Sequence, residues 1–180
     1  MSKKVLIIMD PIESIDINKD TTYQLILSAQ EFGHKVFYLI PETLSTNPNG
    51  PAGKIGDLKI NKKKDPFFKI SNIKSKQLSN FDYILMRKDP PVDNNYIYIT
   101  QILDSINQKT SKVINPGFVL RNHNEKLITL NFPKYIPASL VSCSKDDIHK
   151  FRNIHKNIIL KPLNLMGGRS VYFLEEKDKN

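Results

Sequence analysis

The 180-residue sequence contains no tryptophan and a single cysteine, Cys143. One cysteine excludes an internal disulfide framework and predicts a reducing, cytoplasmic setting. No apolar run approaches the roughly 20 residues that span a bilayer. At the N-terminus only Val5 to Met9 is apolar before Asp10, short of the about 7–15 residues of a secretory h-region. No repeat or heptad run occurs. The four histidines stand at 34, 123, 149 and 155, and no pair of them has the spacing of a compact metal site. These absences set aside a collagen, a membrane protein, a secreted mini-protein and a coiled coil. What is present is 39% hydrophobic and 25% charged, with a net charge of +9. That composition describes a globular chain with a basic surplus, long enough for one compact domain or one and a half small ones.

The apolar run Val5–Met9 ends at Asp10-Pro11 and predicts a buried parallel strand. Asp20 is placed to cap a helix carrying Leu25, Ile26, Ala29 and Phe32 on one face, with Gly33 at its C-terminal stop. Lys35–Ile40 returns as a second strand, completing a β-α-β unit whose crossover is right-handed. Residues 41–76 carry turn signals at Pro41, Asn47–Pro51 and Gly53, and are expected to form an irregular excursion from the sheet with short strands or a hairpin. Tyr83–Met86 is a third buried strand. Tyr96, Ile99, Leu103 and Ile106 then recur at helical spacing, and Lys112–Ile114 is a fourth strand. Residues 1–121 therefore read as an α/β domain, an open and mostly parallel sheet flanked by helices. A second unit, 122–180, is expected to open with a short helix, Glu125–Leu130, capped by Asn124. It continues with a strand at Ser139–Ser142, a helix from Ser144 to about His155, and strands at Asn157–Lys161 and Ser170–Leu174.

Two places concentrate polar chemistry. Ligands in open α/β sheets bind beyond the carboxyl ends of the strands. Asp10 follows the first strand there, and Arg87-Lys88-Asp89-Pro90-Pro91 follows the third. Arg87 and Lys88 suit a carboxylate or phosphate, and Asp10 or Asp89 suits an ammonium group. A charged, proline-stiffened surface turn is the plainer alternative. The second place is Lys161-Pro162-Leu163-Asn164-Leu165-Met166-Gly167-Gly168-Arg169-Ser170. A lysine leaving an apolar strand beside two glycines suits an anion cradled by backbone N–H groups. A hairpin turn with a solvated lysine is the alternative. Alone, Lys126 is a solvated helix lysine, and nothing marks Cys143 as a nucleophile.

In this order along the chain stand Met9-Asp-Pro-Ile12, Met86-Arg-Lys-Asp-Pro-Pro91, Tyr96-Ile97-Tyr98, Leu120-Arg121, Asn124-Glu-Lys-Leu127, and Ile159-Leu-Lys-Pro-Leu163 with Met166-Gly-Gly168. Together they resemble bacterial glutathione synthetase, a ligase of the ATP-grasp superfamily, over essentially the whole chain. The resemblance implies a pre-ATP-grasp substrate domain (1–121) followed by the first part of an α+β ATP-grasp domain (122–180). It implies ATP-dependent joining of γ-glutamylcysteine to glycine through an acyl phosphate, with glutathione, ADP and phosphate as products. Lys126, Lys161, Gly167, Gly168 and Ser170 are then expected at ATP, and Asp10, Arg87, Lys88 and Asp89 at the peptide substrate. Mg2+ is expected to accompany ATP, with its ligands in the portion of the family that follows residue 180. The family is commonly homotetrameric. The chain departs from the family at Leu165, where a glycine is usual and a side chain restricts the phosphate loop. It departs again at Arg169, which replaces a small residue, and locally at Asn115-Pro116-Gly117.

The same residues leave three other readings: another ATP-grasp carboxylate–amine ligase, a non-catalytic remnant, and a basic nucleic-acid binder. Residues 52–76 hold eight lysines against two aspartates, a net of +6, so most of the surplus sits in one segment. Without tryptophan or a recognised nucleic-acid module, no nucleic-acid partner is expected. The isolated chain is expected to lack ligase activity.

Overall fold

A computed structural model describes residues 1–178 apart from 63, 64, 108, 166 and 169. Met166 and Arg169, both singled out in the sequence, lie outside the described residues. The chain divides into two compact units. Unit 1 comprises residues 1–89 and 93–121, and unit 2 comprises 90–92 and 122–180.

Unit 1 is built on β1 (Lys4–Ile8), α1 (Thr21–Glu31), β2 (Lys35–Leu39), β3 (Ser45–Asn47), β4 (Gly50–Ile60), β5 (Phe68–Gln77), β6 (Tyr83–Met86), α2 (Asn94–Asp104), β7 (Lys112–Ile114) and α3 (Gly117–Asn122). Strands β2, β1, β6 and β7 lie side by side and are parallel. Strand β1 has neighbours on both edges and a core on each face, so its apolar run has no solvent face. Its residues alternate between two cores, as pleated side chains must. Leu6 and Ile8 meet Tyr96, Ile99 and Leu103 of α2. Val5 and Ile7 meet Tyr23, Ile26 and Leu27 of α1. Both helices start where the sequence places a cap. Asp20 accepts from the backbone N–H groups of Thr22 and Tyr23, and Asp93 accepts from that of Tyr96.

Residues 41–76 correct the expectation of an excursion from the sheet. They form the expected hairpin, β4 with β5, but β4 joins the sheet by pairing antiparallel with β2 through Phe37↔Asp57, Tyr38↔Gly56 and Leu39↔Ile55. Buried Ile55, Leu58 and Ile60 draw the strand onto both cores. The prolines and glycines that marked turns are partly strand residues, because β4 begins at Gly50. The lysine-rich segment is thus an edge hairpin in which Lys59 and Lys69 sit directly opposite.

Unit 2 contains α4 (Lys145–His155) and an antiparallel pair, β8 (Ile158–Leu160) with β9 (Tyr172–Leu174). Two expectations fail here. Residues 125–130 form a turn and then a short 3-10 helix, Ile128–Asn131, rather than an α-helix. Phe132 precedes Pro133, a position that disfavours helical backbone. Residues 139–142 are not a strand, and β8 pairs only with β9 among the described residues. No described helix is long and apolar enough to cross a membrane.

The α2–α3 join has no room for a side chain at Gly117. A Cβ there would collide with the Thr100 carbonyl oxygen. Gly117→Ala is expected to destabilise unit 1 by about 1–3 kcal/mol, the usual cost of overpacking, read as a lower urea midpoint.

Candidate functional site

In unit 1 the chemistry sits where β1 and β6 end together. Ile8 pairs with Met86, and the Arg87 backbone N–H donates to the Ile8 carbonyl at 2.6 Å. This parallel register brings the next residues of both strands, Asp10 and Arg87–Asp89, to one edge of the sheet. Asp10 bridges the two chains: one carboxylate oxygen accepts from Lys88 Nζ, the other from the Asp89 backbone N–H at 2.8 Å. All four residues expected at the peptide substrate therefore gather at this edge.

Three further residues complete this edge. The Arg87 Nε–H donates to Thr22 Oγ1 at 3.1 Å. Thr22 is buried in the first turn of α1, where its own N–H donates to Asp20 at 2.6 Å. Tyr96, buried on α2, is near enough for both Arg87 and Asp89 to act on its phenol. Asp20 and Tyr96 were legible as a helix cap and a core position. Thr22 carried no signal, because a threonine beside a cap is ordinary until the fold brings an arginine to it.

The charges at this edge are unevenly balanced. Asp10 and Lys88 neutralise each other. The Asp89 carboxyl is held above its ordinary value, first by desolvation and then by the negative charges of Asp10 and Asp20, with Arg87 and Lys88 opposing. Burial also raises the Tyr96 phenol. Nearby, Tyr38 is pushed up to about 12 by burial and by Glu13, Glu42 and Asp10.

Unit 2 contains a cavity of about 1070 Å³, and Lys126, Lys161, Gly167 and Gly168 line it together. Four of the five residues expected at ATP thus converge. Ser170, the fifth, is not in the lining; its backbone is left-handed at φ 54°. Lys126 Nζ donates to Glu125 at 2.9 Å and to the Leu165 carbonyl at 2.7 Å. Asn124 donates to the Leu163 carbonyl at 2.8 Å and caps the turn by accepting from the N–H groups of Lys126 and Leu127. The segment 163–165 is therefore tied to the 124–126 turn. Lys161 follows β8 and is exposed. Gly167 and Gly168 take φ of 65° and 75° and have open space beside them, a backbone that leaves N–H groups available to an anion. Among the described residues, no group of three or more His, Cys, Asp or Glu is placed to hold a metal ion. Cys143 is exposed.

Two family models match the chain in succession. Residues 3–121 match the prokaryotic glutathione synthetase N-terminal domain, and residues 125–180 match the prokaryotic glutathione synthetase ATP-grasp domain. Among curated proteins, the glutathione synthetase of Buchnera aphidicola subsp. Baizongia pistaciae is 41% identical over 97% of this chain and 54% of its own length. That of Yersinia pestis is 41% identical over 98% of the chain and 56% of its own length. That of Xanthomonas axonopodis pv. citri is 37% identical over the full chain and 57% of its own length. The chain spans about half the length of the curated relatives it matches.

The raised Asp89 pKa has a stability consequence with a definite sign. The fold favours the protonated carboxyl, so stability linked to Asp89 is complete below its ordinary value of 3.8 and is lost as pH rises through the folded value. Asparagine is neutral throughout. Asp89→Asn is expected to raise the thermal midpoint at pH 7, and the difference from the parent chain is expected to close below pH 3.8, as followed by circular dichroism.

Proposed function

This chain belongs to the prokaryotic glutathione synthetase family, and on that footing we propose that it provides the peptide-binding end and the first part of the nucleotide-binding end of an ATP-dependent ligase joining γ-glutamylcysteine to glycine. The observation that carries this reading is the match of two family domains, in order, to the chain. Each proposed end also has its own cluster: Asp10, Arg87, Lys88 and Asp89 in residues 1–121, and Lys126, Lys161, Gly167 and Gly168 in residues 122–180.

The reaction has two steps. An oxygen of the cysteinyl carboxylate attacks the γ-phosphorus of ATP, and ADP leaves. The glycine amine then attacks the acyl carbon, loses a proton, and phosphate departs. In the first step negative charge builds on the transferring phosphoryl group, and fixed cations lower its energy. Lys161 and Lys126 fit that task, since both border one cavity and Lys126 is held by two acceptors. Gly167 and Gly168 would offer backbone N–H groups to phosphate oxygens. Ser170 belongs to the same loop, whose closure would keep water from the acyl phosphate. Leu165 serves here through its carbonyl, which binds Lys126, so replacing the usual glycine leaves that contact intact. Mg2+ would neutralise the ATP phosphates, and its ligands are assigned outside residues 1–180. A cytoplasmic location suits the lone cysteine, and homotetrameric assembly follows the family.

Two outcomes are expected of the 180-residue chain. Alone, it releases no phosphate from ATP in a manner that requires both γ-glutamylcysteine and glycine. It still binds ATP by calorimetry, and Lys161→Ala or Lys126→Ala weakens that binding about tenfold or more, the scale of a lost charge-assisted hydrogen bond. Unaltered affinity in both variants would remove the ATP assignment.

A further inference from the structure

In unit 2, residues 161–171 join β8 to β9, and the pairing of Leu160 with Tyr172 holds the two ends of that segment together. Within it Gly167 and Gly168 are left-handed with open space beside them, so contacts at the glycines do little to fix where their N–H groups stand. The fixing contacts lie just upstream, as two rungs. Asn124 donates through its side-chain amide to the Leu163 carbonyl at 2.8 Å, and Lys126 donates through Nζ to the Leu165 carbonyl at 2.7 Å. Each rung spans 39 positions, so the two run in register. They differ in chemistry. Lys126 is a cation on the cavity wall, and the N–H that it gives to Leu165 cannot serve a phosphate oxygen at the same time. Asn124 is neutral and does not line the cavity, so an anion bound there does not compete for it. Its oxygen accepts from the Lys126 and Leu127 N–H groups. Capping a turn needs only that oxygen; the contact of the amide nitrogen with Leu163 goes beyond a cap.

We propose that Asn124 is a positioning residue for the phosphate end of ATP, its one side-chain amide holding the turn that carries Lys126 at a fixed separation from the segment that leads to Gly167 and Gly168. This rests on the reading that Lys126 and the glycine pair meet ATP, and it names what keeps them in place beside each other. The oxygen of Asn124 holds the turn and its nitrogen holds the Leu163 carbonyl. When the Lys126 ammonium turns to a phosphate oxygen, the Leu165 rung is given up and the Asn124 rung remains. The glycine N–H groups then keep their place relative to Lys126, and donors held in place beforehand cost no reorganisation when the phosphates arrive. Because Asn124 acts only through these groups, its contribution belongs to the part of the affinity that the β- and γ-phosphates supply, and not to the part supplied by the rest of the nucleotide.

The test compares ATP with AMP as ligands of the 180-residue chain by calorimetry, with the Gly167 and Gly168 amides followed by NMR. The parent chain is expected to bind ATP about tenfold or more tightly than AMP, since charge-assisted contacts to the added phosphates are the difference. Asn124→Ser keeps an oxygen that caps about as well as asparagine and lacks the amide nitrogen that reaches Leu163. It is expected to weaken ATP binding about fivefold, the scale of one lost hydrogen bond, and to leave AMP binding within about twofold. The ATP-induced shifts of the Gly167 and Gly168 amides are expected to shrink in parallel. Asn124→Thr, which also keeps a capping hydroxyl, is a second variant should serine disturb the turn, and the same split is expected of it. Parental ATP affinity in both variants overturns the inference and leaves the ATP reading standing. Equal loss of ATP and AMP binding also overturns it, because a merely structural asparagine would act on both ligands alike. A parent chain that binds ATP no more tightly than AMP, or not at all, overturns the ATP reading together with the inference.

Discussion

The strand-end site depends on the two-sided grip of Asp10. One oxygen of its carboxylate holds the Lys88 ammonium and the other holds the Asp89 backbone N–H. The parallel register of β1 and β6 makes that grip possible, because Ile8 and Met86 are partners and the chains leave the sheet together. It neutralises Lys88, fixes the turn that follows β6, and leaves Arg87 to be oriented by Thr22. A carboxylate accepting from both a cation and a backbone N–H is among the stronger hydrogen-bonding arrangements a protein makes. Around it, desolvation and the negative charges of Asp10 and Asp20 hold the Asp89 carboxyl above its ordinary value.

The two units differ in how they treat apolar surface. Unit 1 buries alternate faces of its central strands under α1 and α2. In unit 2, large side chains such as Phe132, Tyr135, Ile159, Tyr172 and Phe173 stand more than half exposed. Ile158 is the one unit 2 side chain among the buried hydrophobic residues described. Surface of that kind marks regions that other polypeptide covers or that invite association.

Much of this was legible in the residues, for reasons that differ by element. Apolar runs with polar stops located β1, β2, β6 and β7, because buried parallel strands tolerate little else. The caps Asp20, Asp93 and Ser144 sit at the starts of α1, α2 and α4 because an oxygen acceptor there satisfies otherwise unpaired N–H groups; Asp20 and Ser144 were evident from the sequence. The hairpin β4–β5 was visible, but its attachment to β2 was not, since a glycine in a strand and a glycine in a turn look alike in sequence. The α3 helix, Gly117–Asn122, was invisible for the same reason: it begins at a glycine, after a proline, and is held by Asp104, thirteen residues earlier in the chain. Ser139–Ser142 has the composition of a strand and, among the described residues, no strand that pairs with it. Asp10, Arg87, Lys88 and Asp89 were found because strand ends were known to gather ligand chemistry, whereas Thr22 acts only through a contact spanning 65 positions.

The most direct measurement is native-state hydrogen exchange of the Asp89 amide in the parent chain and in Asp10→Ala, which removes both acceptor oxygens, each with and without γ-glutamylcysteine. The expected result is a protected Asp89 amide that the peptide slows further. In Asp10→Ala both effects vanish, while the Arg87 amide, bonded to the Ile8 carbonyl, stays protected. An Asp89 amide equally protected in Asp10→Ala, or a peptide that slows no amide between Arg87 and Asp89, would contradict it.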